Sequence, residues 1–299
     1  MAILVEAMSR VLVQGLTGSA GQNFAENMRR SGTNLVAGVR PGRGGSVSAG
    51  VPVFDTVAEA VAATGASASV LAVPTAVVGA AAEEAIVAGV GLIVIYAEGV
   101  PVHDALRLRA LCADRRCTLV GPNSAGVMSP GVGNLSDLRA VPALPGRVGV
   151  ISRSGTLTYE VISDLAARDV GITTVLCVGG DPIVGTTSAE AMDLFLADDA
   201  TRALVLIGEP GGGVEIEAAR RWAADGRRVP LIGLIVGRSL PPGRRFGHAG
   251  AVARLPAESA AEKSAALAAL GVTVVDNLAA VGPAVEQAVQ RGAMAARTD

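Results

Sequence analysis

Aromatic side chains are nearly absent: four Phe, two Tyr and one Trp make up 2% of the 299 residues. Hydrophobic cores must therefore be built from Val, Leu, Ile and Ala, which suit buried parallel strands covered by helices. Cysteine is sparse and odd in number, at Cys112, Cys117 and Cys177. That set argues against a disulfide framework and fits a reducing compartment. No second pair accompanies Cys112 and Cys117, so the spacing argues against zinc, and buried thiols are expected; no metal ligands are assigned. An excess of one charge is missing too. A formal net charge of -2 leaves no electrostatic footprint for nucleic acid or an acidic membrane. Apolar runs such as "GLIVIYAEG" are far too short to span a bilayer. "MAILVEAMSR" lacks the basic start of a signal peptide, and a cytoplasmic protein is expected. Of 25 basic residues only Lys263 is a lysine, which reads as a codon bias. Histidine occurs twice, at His103 and His248.

What is present is an alternation. Short β-branched runs ("RVLVQG", "NLVAGV", "SVLAVP", "GLIVIYAEG", "CTLVGPN") are separated by helical stretches: "SAGQNFAENMRRSG", closed by Gly32, and Ala-rich segments near 57–63, 76–88 and 103–114. This is the pattern of a parallel sheet with crossover helices. It predicts a Rossmann-like α/β domain over residues 1–125. "GVGNLSDLRAVPALPG" has no clear period and reads as part of a linker over 126–146. A second alternation follows, with strands in "RVGVIS", "ITTVLCVGG", "RALVLIGE", "PLIGLIVG" and "VTVVD". Helices are expected near 156–168, 187–197, 214–225, 258–269 and 278–290. This predicts a second doubly wound domain, flavodoxin-like, over 147–299. The length suits two such domains.

"VLVQGLTGSAGQN" sets Gly15, Gly18 and Gly21 between a strand and a helix. Backbone amides there, with the helix N-terminus, bind phosphate well, and Thr17 and Ser19 add hydroxyls. The dinucleotide fingerprint needs a glycine where Thr17 stands, and an acidic residue after the second strand. That strand instead runs into "AGVRPGRGG", whose Arg40 and Arg43 attract a further phosphate. NAD is disfavoured; NADP or a phosphorylated adenosine such as coenzyme A fits better. No P-loop pattern is present for a nucleotide.

"VISRSGTLTYE" reads as strand, turn and helix. Neither Ser152 nor Ser154 has the flanking glycines of a serine elbow. Ser152, Ser154, Gly155 and Thr156 are either a second anion site at a helix N-terminus or a plain helix cap. In "RRFGHAGAVAR", His248 sits among glycines and alanines. A solvated loop histidine fits, and so does a residue that must meet a large ligand or another protein. His103, at an expected helix start, reads as a surface residue.

Taken in order, "QGLTGSAG", "GVRPGRGG", "PVFDTVAEAVAATGASASV", "AEGVP", "GPNSAGV", "SRSGTLTYE", "GGDPI", "IGE" and "GHAGA" resemble the alpha subunit of succinate–CoA ligase over nearly the whole chain. The resemblance implies a CoA-binding first domain. Thr17, Gly18, Ser19 and Ala20 match the loop under the CoA phosphates. Arg43 matches a basic position there, and Tyr96, Ala97 and Glu98 match a third CoA segment. His248 matches the histidine that is phosphorylated, Glu209 the glutamate that orients it, and Tyr159 a position near the acid. The helix start at Ser152–Thr156 is then one of two sites between which the histidine loop moves. The other lies on an ATP-grasp beta subunit, which also brings Mg²⁺ and ATP or GTP. The implied reaction joins a small carboxylic acid to CoA in the tricarboxylic acid cycle. The family's cysteine and proline after "GPN" are replaced by Ser124 and Ala125, and the 134–146 stretch also departs. These changes fall where the resemblance puts the acid, so malate remains an alternative to succinate. A non-catalytic CoA-binding subunit is opposed by the intact "GHAGA" and Glu209. An NADP oxidoreductase is opposed by the glycine spacing.

Overall fold

The computed structural model describes residues 2–138, 143–226, 229–239, 247–248 and 250–295. The chain divides into two compact units. One comprises Leu4–Ala140 with Val178–Thr186; the other comprises Met1–Ile3, Val141–Cys177 and Thr187–Asp299.

The first unit starts with β1 (Val11–Gln14), α1 (Ser19–Arg30) and β2 (Leu35–Val39). A short antiparallel pair follows, β3 (Val47–Ser48) and β4 (Val51–Phe54). Then come α2 (Val57–Thr64), β5 (Ala68–Leu71), α3 (Thr75–Val87), β6 (Leu92–Ile95), α4 (Val102–Arg115) and β7 (Thr118–Val120). The sheet order is β3-β4-β2-β1-β5-β6-β7, parallel except for β3. β1, β5 and β6 are buried along their whole length, as a sheet covered on both faces requires. Their core partners are aliphatic, among them Leu12, Leu71, Ile93, Ile95 and Leu108. The direction of winding reverses between β1 and β5, so the crevice outside their carboxyl ends is where this fold binds ligands.

Residues 126–146, expected to be a linker, are partly structured. β8 (Gly126–Ser129) and β9 (Gly133–Ser136) pair antiparallel within the first unit. Asn27 on α1 donates through Nδ2 to the Ser136 carbonyl at 3.0 Å, and the Asn134 amide donates to Thr33 Oγ1 at 2.7 Å. The four-residue strands with glycines at their ends carry too little periodicity to be read from sequence. Residues 139–142 of that stretch lie outside the described residues.

The cysteines also depart from expectation. Cys112 and Cys117 form a disulfide, not two thiols. After α4, Arg116 adopts a left-handed conformation with φ 56° and turns the chain back. The Cys117 amide then donates to the Cys112 carbonyl, and the two Cα atoms lie 4.8 Å apart. Cys177 is a buried thiol.

The second unit runs β10 (Pro145–Ser152), α5 (Gly155–Ala167), β11 (Ile172–Cys177), α6 (Ser188–Leu196), β12 (Ala203–Gly208), α7 (Val214–Ala224), β13 (Leu231–Ile235), α8 (Ala260–Ala269), β14 (Thr273–Val275) and α9 (Val281–Ala295). Its strands lie in the order β14-β13-β12-β10-β11, all parallel. That is the flavodoxin-like order, and its winding reverses between β10 and β12. In this register Ser152 stands opposite Ile207, so both strands end side by side. No described helix is long and apolar enough to cross a membrane.

Phe195 on α6 is fully buried and occupies the space left by Gly149 on β10, where a Cβ would collide with its ring. Replacing Phe195 by Ala should destabilise this unit by about 3–5 kcal/mol, read as a shift of the urea unfolding midpoint. A loss below about 1 kcal/mol would mean the site collapses around the gap.

Candidate functional sites in the two units

A cavity of about 540 Å³ opens at the switch point of the first unit. It is lined by the residues that follow three adjacent strands: Gly15 and Gly18 after β1, Arg40 and Pro41 after β2, and Val73 and Pro74 after β5. Two of the three loop glycines are required by the chain itself. Gly15 has φ 80° and a Cβ there would press on the Ala72 carbonyl oxygen; a Cβ on Gly21 would strike the Gly15 carbonyl. Gly18 has no such need, since its nearest neighbour to an added Cβ is 3.4 Å away. It stands at the N-cap of α1, where no side chain caps the helix and the first turn holds no acidic residue. An uncapped helix start beside a cavity is suited to an anion.

The expected CoA residues distribute unevenly about this cavity. Gly18 lines it, whereas Thr17, Ser19, Ala20 and Arg43 do not. Arg40, not Arg43, is the arginine on the wall, and its Nη1 donates to the Thr17 hydroxyl. Arg43 is exposed on the adjoining turn. The Asp55 carboxylate pins that turn by accepting from the amides of Gly44 at 2.9 Å and Arg43 at 3.0 Å. Those amides hold the Asp55 carboxyl below the ordinary range, the Gly44 bond first, against a smaller opposing effect of burial. Tyr96, Ala97 and Glu98 follow β6 and are not on the cavity wall. Tyr96 packs edge-on against Phe24 with ring centroids 5.4 Å apart. The next two amides, of Gly99 and Val100, donate to buried Asp181 of "GGDPI". Ser124 is buried and its hydroxyl accepts from the Gly126 amide at 2.8 Å. His103 lies exposed at the start of α4.

In the second unit, His248 and Glu209 come together. His248 Nδ1 lies 2.9 Å from Glu209 Oε2. A carboxylate only accepts, so the ring donates its Nδ1–H and the other nitrogen, Nε2, is left without the proton in the neutral ring. Glu209 is buried at 6% exposure because it directly follows β12, while the His248 side chain retains 24%. Gly211, at φ 97°, lets the two loops touch: a Cβ there would lie 2.5 Å from the Gly250 carbonyl oxygen. Ala249 and residues 240–246 of the histidine loop lie outside the described residues.

The "SRSGT" turn joins β10 to α5. The Ser154 hydroxyl caps the helix by accepting from the Leu157 amide at 3.3 Å. The fully buried Ser152 hydroxyl accepts from the Ser154 amide and donates to the Ser154 carbonyl. Both hydroxyls thus shape the turn. Gly155 and Thr156 supply first-turn amides of the kind a helix leaves without internal partners. Tyr159 is on the same helix and 40% exposed. Between the serines, Arg153 is buried, and its Nη2 reaches Glu209 Oε1 at 3.2 Å. Sequence reasoning passed over Arg153, and also Glu215 and Lys263, which are fully buried beside it. The isolation of Lys263 as the one lysine was the available signal. Among the described residues, no cluster of His, Cys, Asp and Glu could hold a metal ion.

One unit thus carries a crevice at its switch point, and the other a buried carboxylate in contact with a histidine. Comparison with known proteins gives the class. Residues 6–99 match the model for a CoA binding domain, and residues 151–273 match the CoA-ligase model. The malate–CoA ligase alpha subunit of Methylorubrum extorquens is 41% identical over 98% of this chain and 100% of its own length. The ADP-forming succinate–CoA ligase alpha subunit 2 of Archaeoglobus fulgidus is 43% identical over 92% of this chain and 95% of its own. The ATP citrate lyase of Methanothrix soehngenii, solved with citrate and coenzyme A, shares the fold with a TM-score of 0.85 at 24% identity. The match covers 97% of this chain but 52% of that lyase. The chain belongs to the acid–CoA ligase alpha-subunit family.

The lowered Asp55 pKa has a sign that can be checked. Its bonds to the turn should persist at pH values where free carboxylates are already half protonated, and be lost only as the pH falls through the depressed value. The Asp55 carboxyl carbon should titrate by NMR below the other exposed aspartates, with the Arg43 and Gly44 amide resonances moving in step. Titration at the ordinary value would mean the turn is not pinned.

Proposed function

We propose that this chain is the alpha subunit of a nucleotide-dependent acid–CoA ligase acting through phosphorylation of His248. The observation that carries the reading is the 2.9 Å bond from His248 Nδ1 to buried Glu209, which makes Nε2 the nucleophilic nitrogen. In the synthetic direction Nε2 takes the terminal phosphoryl group of ATP or GTP, and the nucleoside diphosphate leaves. The acid's carboxylate then takes that phosphoryl group from Nε2, giving an acyl phosphate and restoring the ring. The CoA thiol, as thiolate, displaces inorganic phosphate to give the thioester. Glu209 stabilises the ring cation when both nitrogens are substituted, and the α5 start offers the Gly155 and Thr156 amides to the phosphoryl oxygens. Tyr159 is the residue assigned to the acid.

CoA suits the first-unit cavity. Gly18 and the uncapped α1 start would face its phosphates, with Arg40 alongside. Thr17, Ser19, Ala20 and Arg43 flank that position, and Tyr96, Ala97 and Glu98 form the third segment. The thiol group of CoA is what the reaction consumes. A beta subunit of ATP-grasp type supplies the nucleotide and Mg²⁺; the alpha-subunit names of the relatives support such a partner. The acid is a small dicarboxylate, with succinate and malate as the two candidates the relatives name.

Calorimetry on the purified chain should detect CoA and neither NADP nor Mg²⁺–ATP. Arg40→Ala should weaken CoA binding by about 1.5–3 kcal/mol and flatten its salt dependence. Tight nucleotide binding by the isolated chain, or undiminished CoA affinity in Arg40→Ala, would contradict the assignment. Co-expression with the beta chain and a screen of dicarboxylates for CoA-dependent nucleotide hydrolysis would then identify the acid.

A further inference from the structure

Behind the His248–Glu209 pair lie three charged side chains to which the phosphoryl steps assign no role. Lys263 and Glu215 are 0% exposed and Arg153 is 8% exposed. Lysine, glutamate and arginine are almost never buried to this degree unless paired. Here they are paired, with Glu209, into a group of two cations and two carboxylates. Lys263 pairs with Glu215, and Arg153 Nη1 lies 3.8 Å from Glu215 Oε1. Gly208 makes room for this: a Cβ there would lie 2.6 Å from Glu215 Cγ and Oε1.

The cluster grips Glu209 at every polar point except one. The Glu209 amide donates to Glu215 Oε1 at 3.2 Å. Its carbonyl accepts from Lys263 Nζ at 2.7 Å, and Lys263 also donates to the Gly211 carbonyl at 3.1 Å. Its Oε1 faces Arg153 Nη2 at 3.2 Å, as an ion pair without hydrogen-bond alignment. Only Oε2 is turned to His248. Stability does not explain such an arrangement, because replacing a buried ion-pair group by apolar side chains is often neutral or stabilising.

We infer that Arg153, Glu215 and Lys263 are positioning residues for the phosphohistidine step. They hold Glu209 so that Oε2 alone is presented to Nδ1, which keeps His248 in the Nδ1–H tautomer and keeps Nε2 unprotonated for attack. This rests on the proposed phosphorylation of His248. The second carboxylate, Glu215, ties the two cations to the Glu209 backbone, so the side chain and the main chain of Glu209 are fixed together.

The test uses ring-¹⁵N-histidine NMR on the full chain, which has two histidines, with exposed His103 as the internal reference. At a pH where the ring is neutral, wild-type His248 should show a protonated Nδ1 and a bare Nε2. In Glu215→Gln and in Arg153→Met the pattern should move toward the free-imidazole mixture, rich in Nε2–H, with His103 unchanged. In the complex with the beta subunit, both variants should phosphorylate His248 at least tenfold more slowly, while CoA affinity stays within twofold of wild type. Arg153→Lys should recover part of the rate. Arg153→Met risks failing to fold, and Glu215→Gln, which preserves shape, then supplies the same readouts. Variants with the wild-type tautomer and wild-type phosphorylation rate would overturn the inference alone. A wild-type complex that takes no phosphoryl group on His248 would overturn the phosphohistidine reading and this inference with it.

Discussion

The register between β10 and β12 is the constraint on which the second unit's chemistry depends. Ser152, the last residue of β10, stands opposite Ile207, one residue before β12 ends, and the Arg153 amide donates to the Ile207 carbonyl. Arg153 and Glu209 therefore emerge side by side at the point where the winding reverses. A slip of one residue would turn every side chain of one strand to the opposite face of the sheet and separate them. The helix after each strand adds what the strand ends lack. α5 contributes a helix start capped by Ser154, and α7 sends Glu215 back beneath Gly208. The histidine itself stands on a loop, held where Gly211 allows Gly250 to approach.

The first unit solves a different problem with the same rule. Its crevice lies outside β1, β2 and β5, beside the start of α1. Gly15 and Gly21 are glycines so that the loop can close on itself; Gly18 leaves the helix start open to the cavity. Arg40 supplies charge from the next strand, and Asp55 restrains the turn beyond it. One unit binds through backbone amides and a cation. The other holds an imidazole against a buried carboxylate.

Most of the strands and helices could be read because their signals are local. Short runs rich in Val, Leu and Ile marked β1, β5, β6 and β12, and the glycine loop announced the crevice. The hairpin β8–β9 and the pair β3–β4 were hidden because strands of two to four residues among Gly and Pro look like loops. The disulfide was hidden because it needs Arg116 at positive φ, which a non-glycine residue does not advertise. Resemblance chose Arg43 over Arg40 for CoA, whereas the turn after β2 puts Arg40 on the cavity wall. Lys263 in "AAEKSAAL" reads as an ordinary solvated helix residue; only the packing of α8 against β13 and β14 brings it to the Glu209 and Gly211 carbonyls. Resemblance pointed to Glu209 and His248, and the fold gathers Arg153, Glu215 and Lys263 around Glu209.

The central claim is that the Glu209–His248 pair makes Nε2 of His248 the phosphoryl carrier. ³¹P NMR and peptide mapping of the assembled ligase, after brief exposure to Mg²⁺ and nucleotide without acid or CoA, test it most directly. The account predicts one acid-labile, alkali-stable phosphoramidate per chain, on Nε2 of His248, absent from His248→Asn. A phosphoryl group on Nδ1, on another residue, or persisting in His248→Asn would contradict it.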